Sequence, residues 1–120
     1  MRETKYWTWH ILAGAVILFL LGLHMLVMHV TAIAGVLNPS GGEAIAWANV
    51  LARSRMLALV IIYVLLLGAA LYHGLYGLRT ILLELGPGAV LQKAINVAFW
   101  IGGIGLFVIG TWAAIATRLL

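Results

Sequence analysis

The sequence predicts an all-α integral membrane protein with three transmembrane helices and a short interfacial helix between the first and the second. Three observations carry this. The 120-residue chain is 65% hydrophobic and only 8% charged, with a mean hydropathy of +1.15, far too apolar for a soluble domain of its size. Its apolar residues fall into three runs, each long enough to cross a hydrocarbon core of roughly 30 Å. The runs are separated by Asn38-Pro39-Ser40-Gly41-Gly42 and Gly86-Pro87-Gly88, where proline and glycine interrupt helix.

The first run follows a short polar start. Tyr6, Trp7 and Trp9 form an aromatic cluster of the kind that anchors at a bilayer interface, and no formal charge then occurs as far as Leu37. A span over residues 7–37 makes roughly 46 Å of helix, so it must tilt or protrude. Its length exceeds a signal-peptide core and no convincing cleavage site follows, so it is expected to be structural. Ser40 and Glu43 then have capping-box spacing, which predicts a surface helix over residues 43–52 with Trp47 in the interface; an ordinary loop is the alternative.

Arg53 and Arg55 bracket the entry to the second span, expected over residues 56–85 and stopped by Gly86-Pro87-Gly88. Lys93 marks the next crossing, the third span covers residues 94–117, and Arg118 closes it. No internal repeat or second domain is visible. Three spans put the N-terminus and the Gly86 turn on one side. Arg2, Lys5, Arg79 and Lys93 there, against Arg53, Arg55 and Arg118 opposite, give a small positive-inside excess for a cytoplasmic N-terminus. The net charge of +4 comes from scattered membrane-edge residues, not from a nucleic-acid-binding patch. Without cysteine the chain offers no disulfide and no iron–sulfur ligation of its own.

Ionisable groups at membrane depth are costly and mark function by default. His73 lies eleven residues before Glu84, roughly 16 Å along the helix and near mid-bilayer. Gly77, one turn on and on the same face, removes a side chain where a flat ring could lie. This favours His73 as an axial ligand of heme iron; the alternative is a histidine hydrogen-bonded to a neighbouring helix, with the glycine serving close packing. Arg79, about 9 Å nearer water, either pairs with a heme propionate or snorkels. His24 falls toward the opposite face, too far from His73 in depth to share a metal with it. His10, a turn inside the interface by this count, reads first as a surface or quinone-side histidine, with iron ligation the alternative; His29 reads as a packing or interfacial histidine and is the rival ligand to His24. The third span carries no ionisable group at depth and reads as support, with Asn96 and Thr111 able to hydrogen-bond across helices.

These residues resemble the cytochrome b membrane-anchor subunits of succinate dehydrogenase and fumarate reductase, respiratory complex II. The stretch from Tyr72 to Gly86, YHGLYGLRTILLELG, is similar to that family's heme-ligating segment, with His73, Gly77, Leu78, Arg79 and Glu84 in the matching places. The stretch GLHMLVMHV resembles the paired-histidine segment of two-heme members, which implies an axial role for His24. Many members end the first motif with aspartate and a quinone-binding tyrosine, where this chain has Glu84 and Leu85; single-heme relatives use a serine and an arginine where it offers Trp7 and Ile11.

The resemblance implies one or two hemes b shared with a second membrane-anchor subunit. It also implies a flavoprotein and an iron–sulfur protein docked on the cytoplasmic side of the inner (cytoplasmic) membrane. Electrons from succinate would pass to quinone near the Arg79 to Glu84 end, with His10 and Glu84 on the quinone side. Because the candidate ligands lie at unequal depths, at least one axial ligand per heme is expected from a partner chain. A heme-free structural anchor is the first alternative. A small transporter is the second, disfavoured because Glu3, Glu43 and Glu84 all lie at span edges.

Overall fold

The computed structural model describes residues 2–30 and 41–120. Four helices follow in order: α1 (Arg2–His29), α2 (Trp47–Ser54), α3 (Leu57–Glu84) and α4 (Ala89–Leu119), and no strand occurs among the described residues. α1, α3 and α4 are each long and apolar enough to cross a membrane. In lipid, backbone N–H and C=O groups find no water, so an apolar run of this length satisfies them within its own helix.

α3 is the middle of a row, packing on α1 along one side and on α4 along the other, while the backbones of α1 and α4 stay more than 8 Å apart among the described residues. Both neighbours run antiparallel to it. Along the first seam His10 meets Gly77, Gly14 meets His73 and His24 meets Tyr63; along the second Asn96 meets Arg79 and Phe107 meets Gly68. The start of α1 therefore lies beside the end of α3. Among the described hydrophobic residues only Val27 and Val60 are buried, and large side chains such as Leu18 and Val90 stand 80% and 86% exposed. A surface this apolar is solvated by the lipid bilayer, not by water.

The turn after α3 forms as the sequence predicts. Gly86 takes a φ of 70°, a left-handed conformation costly for any other residue, and Gly88 in extended geometry leads into α4. α4 begins at Ala89, five residues ahead of the expected 94, so Lys93 sits within its first turns.

The connection before α3 differs more. Residues 31–40, including the end of the expected first span and Ser40 of the expected capping box, lie outside the described residues. α2 starts at Trp47 instead of residue 43 because the preceding loop is held from the side. The Asn49 amide donates to the carbonyls of Gly41 (2.8 Å) and Glu43 (3.0 Å), and Arg53 donates to that of Ala44 (2.6 Å). Asn49 and Arg53 are buried, one turn apart on a single face of α2, so their side chains order the loop at the expense of extending the helix. The Ser54 hydroxyl, 2.7 Å from the Leu51 carbonyl of its own helix, also reaches within 3.2 Å of the Thr117 carbonyl at the end of α4. Trp47 and Ile45, 61% and 71% exposed, suit an interfacial position between the first two spans.

Candidate functional site

The seam between α1 and α3 brings together two residues that the sequence separates by depth. The imidazoles of His10 and His73 stack face to face, their centroids 4.2 Å apart and their planes within 1°. His73 Nδ1 lies 3.0 Å from the His10 carbonyl oxygen. A carbonyl can only accept, so Nδ1 carries the proton and donates. In the neutral ring the lone pair is then on Nε2, which makes no hydrogen bond among the described residues.

Two glycines make this approach possible, and they do so reciprocally. A Cβ built on Gly14 would stand 3.0 Å from Cε1 and 3.2 Å from Nδ1 of His73; one built on Gly77 would stand 3.3 Å from Cε1 of His10. Each helix carries a histidine followed four residues later by a glycine, and in the antiparallel pair each histidine sits on the other helix's glycine. The space that Gly77 opens is filled by the His10 imidazole.

Tyr76 tilts against His10 at 5.3 Å and stacks on Tyr72 at 5.7 Å, and the Tyr72 hydroxyl donates to the Tyr6 carbonyl at 2.9 Å. Arg79 turns to the other seam, where Nε donates to Asn96 Oδ1 at 2.5 Å and the guanidinium carbon lies 5.7 Å from the centre of the Tyr76 ring. Glu84 is exposed and, with Glu3, Thr4, Trp7, Arg79 and Thr80, lines an open cleft of about 570 Å³ where α1 begins and α3 ends. His10 lies deeper than this cleft and does not line it.

His24 is elsewhere. It meets Tyr63 edge-on at 5.4 Å, ten residues along α3 from His73 and so roughly 15 Å from it in depth. Its Nδ1 is buried without a hydrogen-bond partner, as is that of His10. His29, exposed, turns Nδ1 back to the Met25 carbonyl at 3.1 Å.

The donor set fits one axial imidazole. A metal-bound histidine characteristically donates its other ring N–H to a carbonyl or carboxylate, which fixes the ring and raises the basicity of the ligating nitrogen, and His73 is held in this way. His10 cannot supply the opposite ligand to the same iron. Stacked parallel rings hold their nitrogen lone pairs in separate parallel planes, not aimed at a point between them.

The sequence signal for His10 was its own spacing to Gly14, the same four residues that single out His73 and Gly77. Asn96 was singled out only as a possible cross-helix partner, and its bond to Arg79 is what turns that residue away from the histidines. No protein-family model, curated protein or solved structure matches the chain.

Proposed function

We propose that the chain is a heme b-binding membrane-anchor subunit of a succinate:quinone oxidoreductase of the complex II kind. It would hold flavoprotein and iron–sulfur partners at the inner membrane, N-terminus cytoplasmic, and help pass their electrons to membrane quinone. The observation that carries this reading is the His73 imidazole, half-buried between the spans with its proton committed to a backbone carbonyl and its second nitrogen unbonded.

When bound, the heme supplies a one-electron redox centre. His73 would provide one axial ligand, with the stacked His10 ring restricting its rotation; a second anchor chain would provide the other. His24, at the depth of Tyr63, is the candidate ligand for a second heme. The open cleft beside Glu3, Thr80 and Glu84 offers a quinone head both hydroxyls and carboxylates at the membrane surface. Among the described residues no carboxylate lies at mid-span, which disfavours a proton-coupled transporter.

A second reading has its own support: His10 and His73 stack on each other within one chain, with His73 Nδ1 on the His10 carbonyl, as they would in a heme-free structural anchor. A dithionite-reduced minus oxidised spectrum of the complex purified through this chain separates the two. The heme reading expects a b-type α band that His73→Leu diminishes and His29→Gln leaves intact. A wild-type complex without that band assigns the stacked histidines to helix packing alone.

A further inference from the structure

The seam between α3 and α4 holds a cleft of about 580 Å³, which none of the histidines lines. Its walls are overwhelmingly apolar, with Leu71, Leu75, Phe99, Trp100, Ile104 and Phe107 along its length. On α3 it runs from Gly68 to Arg79, and on α4 from Phe107 back to Asn96. Each stretch advances eleven positions, about 16 Å of helix, or close to half of a hydrocarbon core of roughly 30 Å. The cleft is therefore one leaflet deep.

Its polar groups gather at the end nearer the surface. Arg79 Nε donates to Asn96 Oδ1, and because Nε–H is purely a donor, that bond fixes which atom of the Asn96 amide is oxygen. The Asn96 Nδ2 and both Nη nitrogens of Arg79 make no hydrogen bond among the described residues. The Tyr76 ring beneath the guanidinium holds it in place. The Tyr72 hydroxyl is already committed to Tyr6, so the donors at this end belong to the cation and the amide beside it. No carboxylate lines this cleft among the described residues, while Arg79 also borders the surface cleft that Glu3 and Glu84 line and makes no ion pair with either.

We infer that this cleft binds one anionic phospholipid of the adjoining leaflet, its phosphate held by Arg79 and Asn96 and its acyl chains lying along α3 and α4. Cationic pockets between transmembrane helices suit anionic headgroups, and a three-donor cluster without a carboxylate matches a phosphate oxygen set. The cleft's depth matches the length of acyl chains lying along one leaflet. The inference stands whether or not the chain binds heme.

The test is native mass spectrometry of the full-length chain, released from detergent after incubation with equal amounts of dioleoyl phosphatidylglycerol and dioleoyl phosphatidylcholine. The expected result is one phosphatidylglycerol per chain, favoured several-fold over phosphatidylcholine. Arg79→Gln abolishes the preference and Arg79→Lys retains most of it, with circular dichroism verifying that both variants are helical. Equal binding of the two lipids, or a preference that survives Arg79→Gln, overturns the inference. Displacement of the phosphatidylglycerol by inorganic phosphate shows a bare anion site and overturns the lipid. Displacement by a short-chain quinone assigns the cleft to quinone instead.

Discussion

α3 has two seams, and glycine does different work in each. Toward α1, Gly14 and Gly77 receive the edges of imidazole rings that are stacked on one another and, for His73, tied to a backbone carbonyl. Toward α4, Gly68, Gly103 and Gly110 receive a phenylalanine edge and the methyl ends of Leu75 and Leu67. Lipid removes the hydrophobic drive between helices, so packing and interhelical hydrogen bonds decide how they associate. The first seam fixes register through rigid, directional groups. The second is soft, and it leaves a cleft open beside it.

Substitution at Gly14 should break this comparison most forcibly if it is wrong. In Gly14→Ala the new methyl meets His73 Cε1 at 3.0 Å, and the ring cannot retreat without lengthening its bond to the His10 carbonyl and losing the stack. Overpacking of this kind costs about 1–3 kcal/mol, against about 0.5–1 kcal/mol gained by replacing a helical glycine. A net loss is therefore expected in reversible unfolding from mixed micelles. Gly22→Ala, on the same helix with nothing within 4 Å, should be neutral or slightly stabilising. Equal effects at the two positions would mean that the histidine seat is not rigid.

Next in size is the His73 side chain itself. His73→Leu removes a stack and a cross-helix hydrogen bond, whereas His10→Leu removes the stack and a tilted contact with Tyr76 but no hydrogen bond, because the acceptor on His10 is its backbone. Interhelical hydrogen bonds in membranes average about 0.6 kcal/mol and reach about 1.7. His73→Leu should therefore be the more destabilising of the two by about that amount, measured by the same unfolding. A double-mutant cycle between the side chains should return the stack alone. If His10→Leu proves as costly as His73→Leu, the bond to the carbonyl contributes little and the seam is held by ring packing.

Much of the fold is legible in the sequence because it follows from local chemistry: uncharged runs must be helices in lipid, and Gly86 must end one. The start of α2 is not, because Asn49 and Arg53 bond to carbonyls eight and nine residues behind them, a choice no capping pattern reveals. At the site, the spacing of His73 and Gly77 marks a gap for a flat ring but cannot say whose. Depth counted from Trp7 puts His10 near the surface, whereas α1 begins at Arg2, five residues or about 7 Å earlier, and that offset brings His10 level with His73. His10 and Gly14 repeat the same spacing, and two copies of one motif on antiparallel neighbours can only be matched once the pairing of helices is known.

The smallest effect belongs to the soft seam and tests it most finely. A Cβ on Gly110 would stand 2.5 Å from Leu67 Cδ2, nearer than any other contact along α3, yet Gly110→Ala should cost less than Gly14→Ala. The obstructing atom is the free end of a leucine side chain, which can rotate into another staggered well at a cost on the order of 1 kcal/mol or less, largely offset by the helix gain from alanine. Leu67 is only half-buried and makes no directional contact, so its end can turn aside; the His73 ring, tied to a carbonyl, cannot. Unfolding of Gly110→Ala within about 0.5 kcal/mol of the parent would establish that adaptability. A loss matching that of Gly14→Ala would show α3 and α4 locked as firmly as α1 and α3, and would leave the cleft between them too stiff to admit an acyl chain.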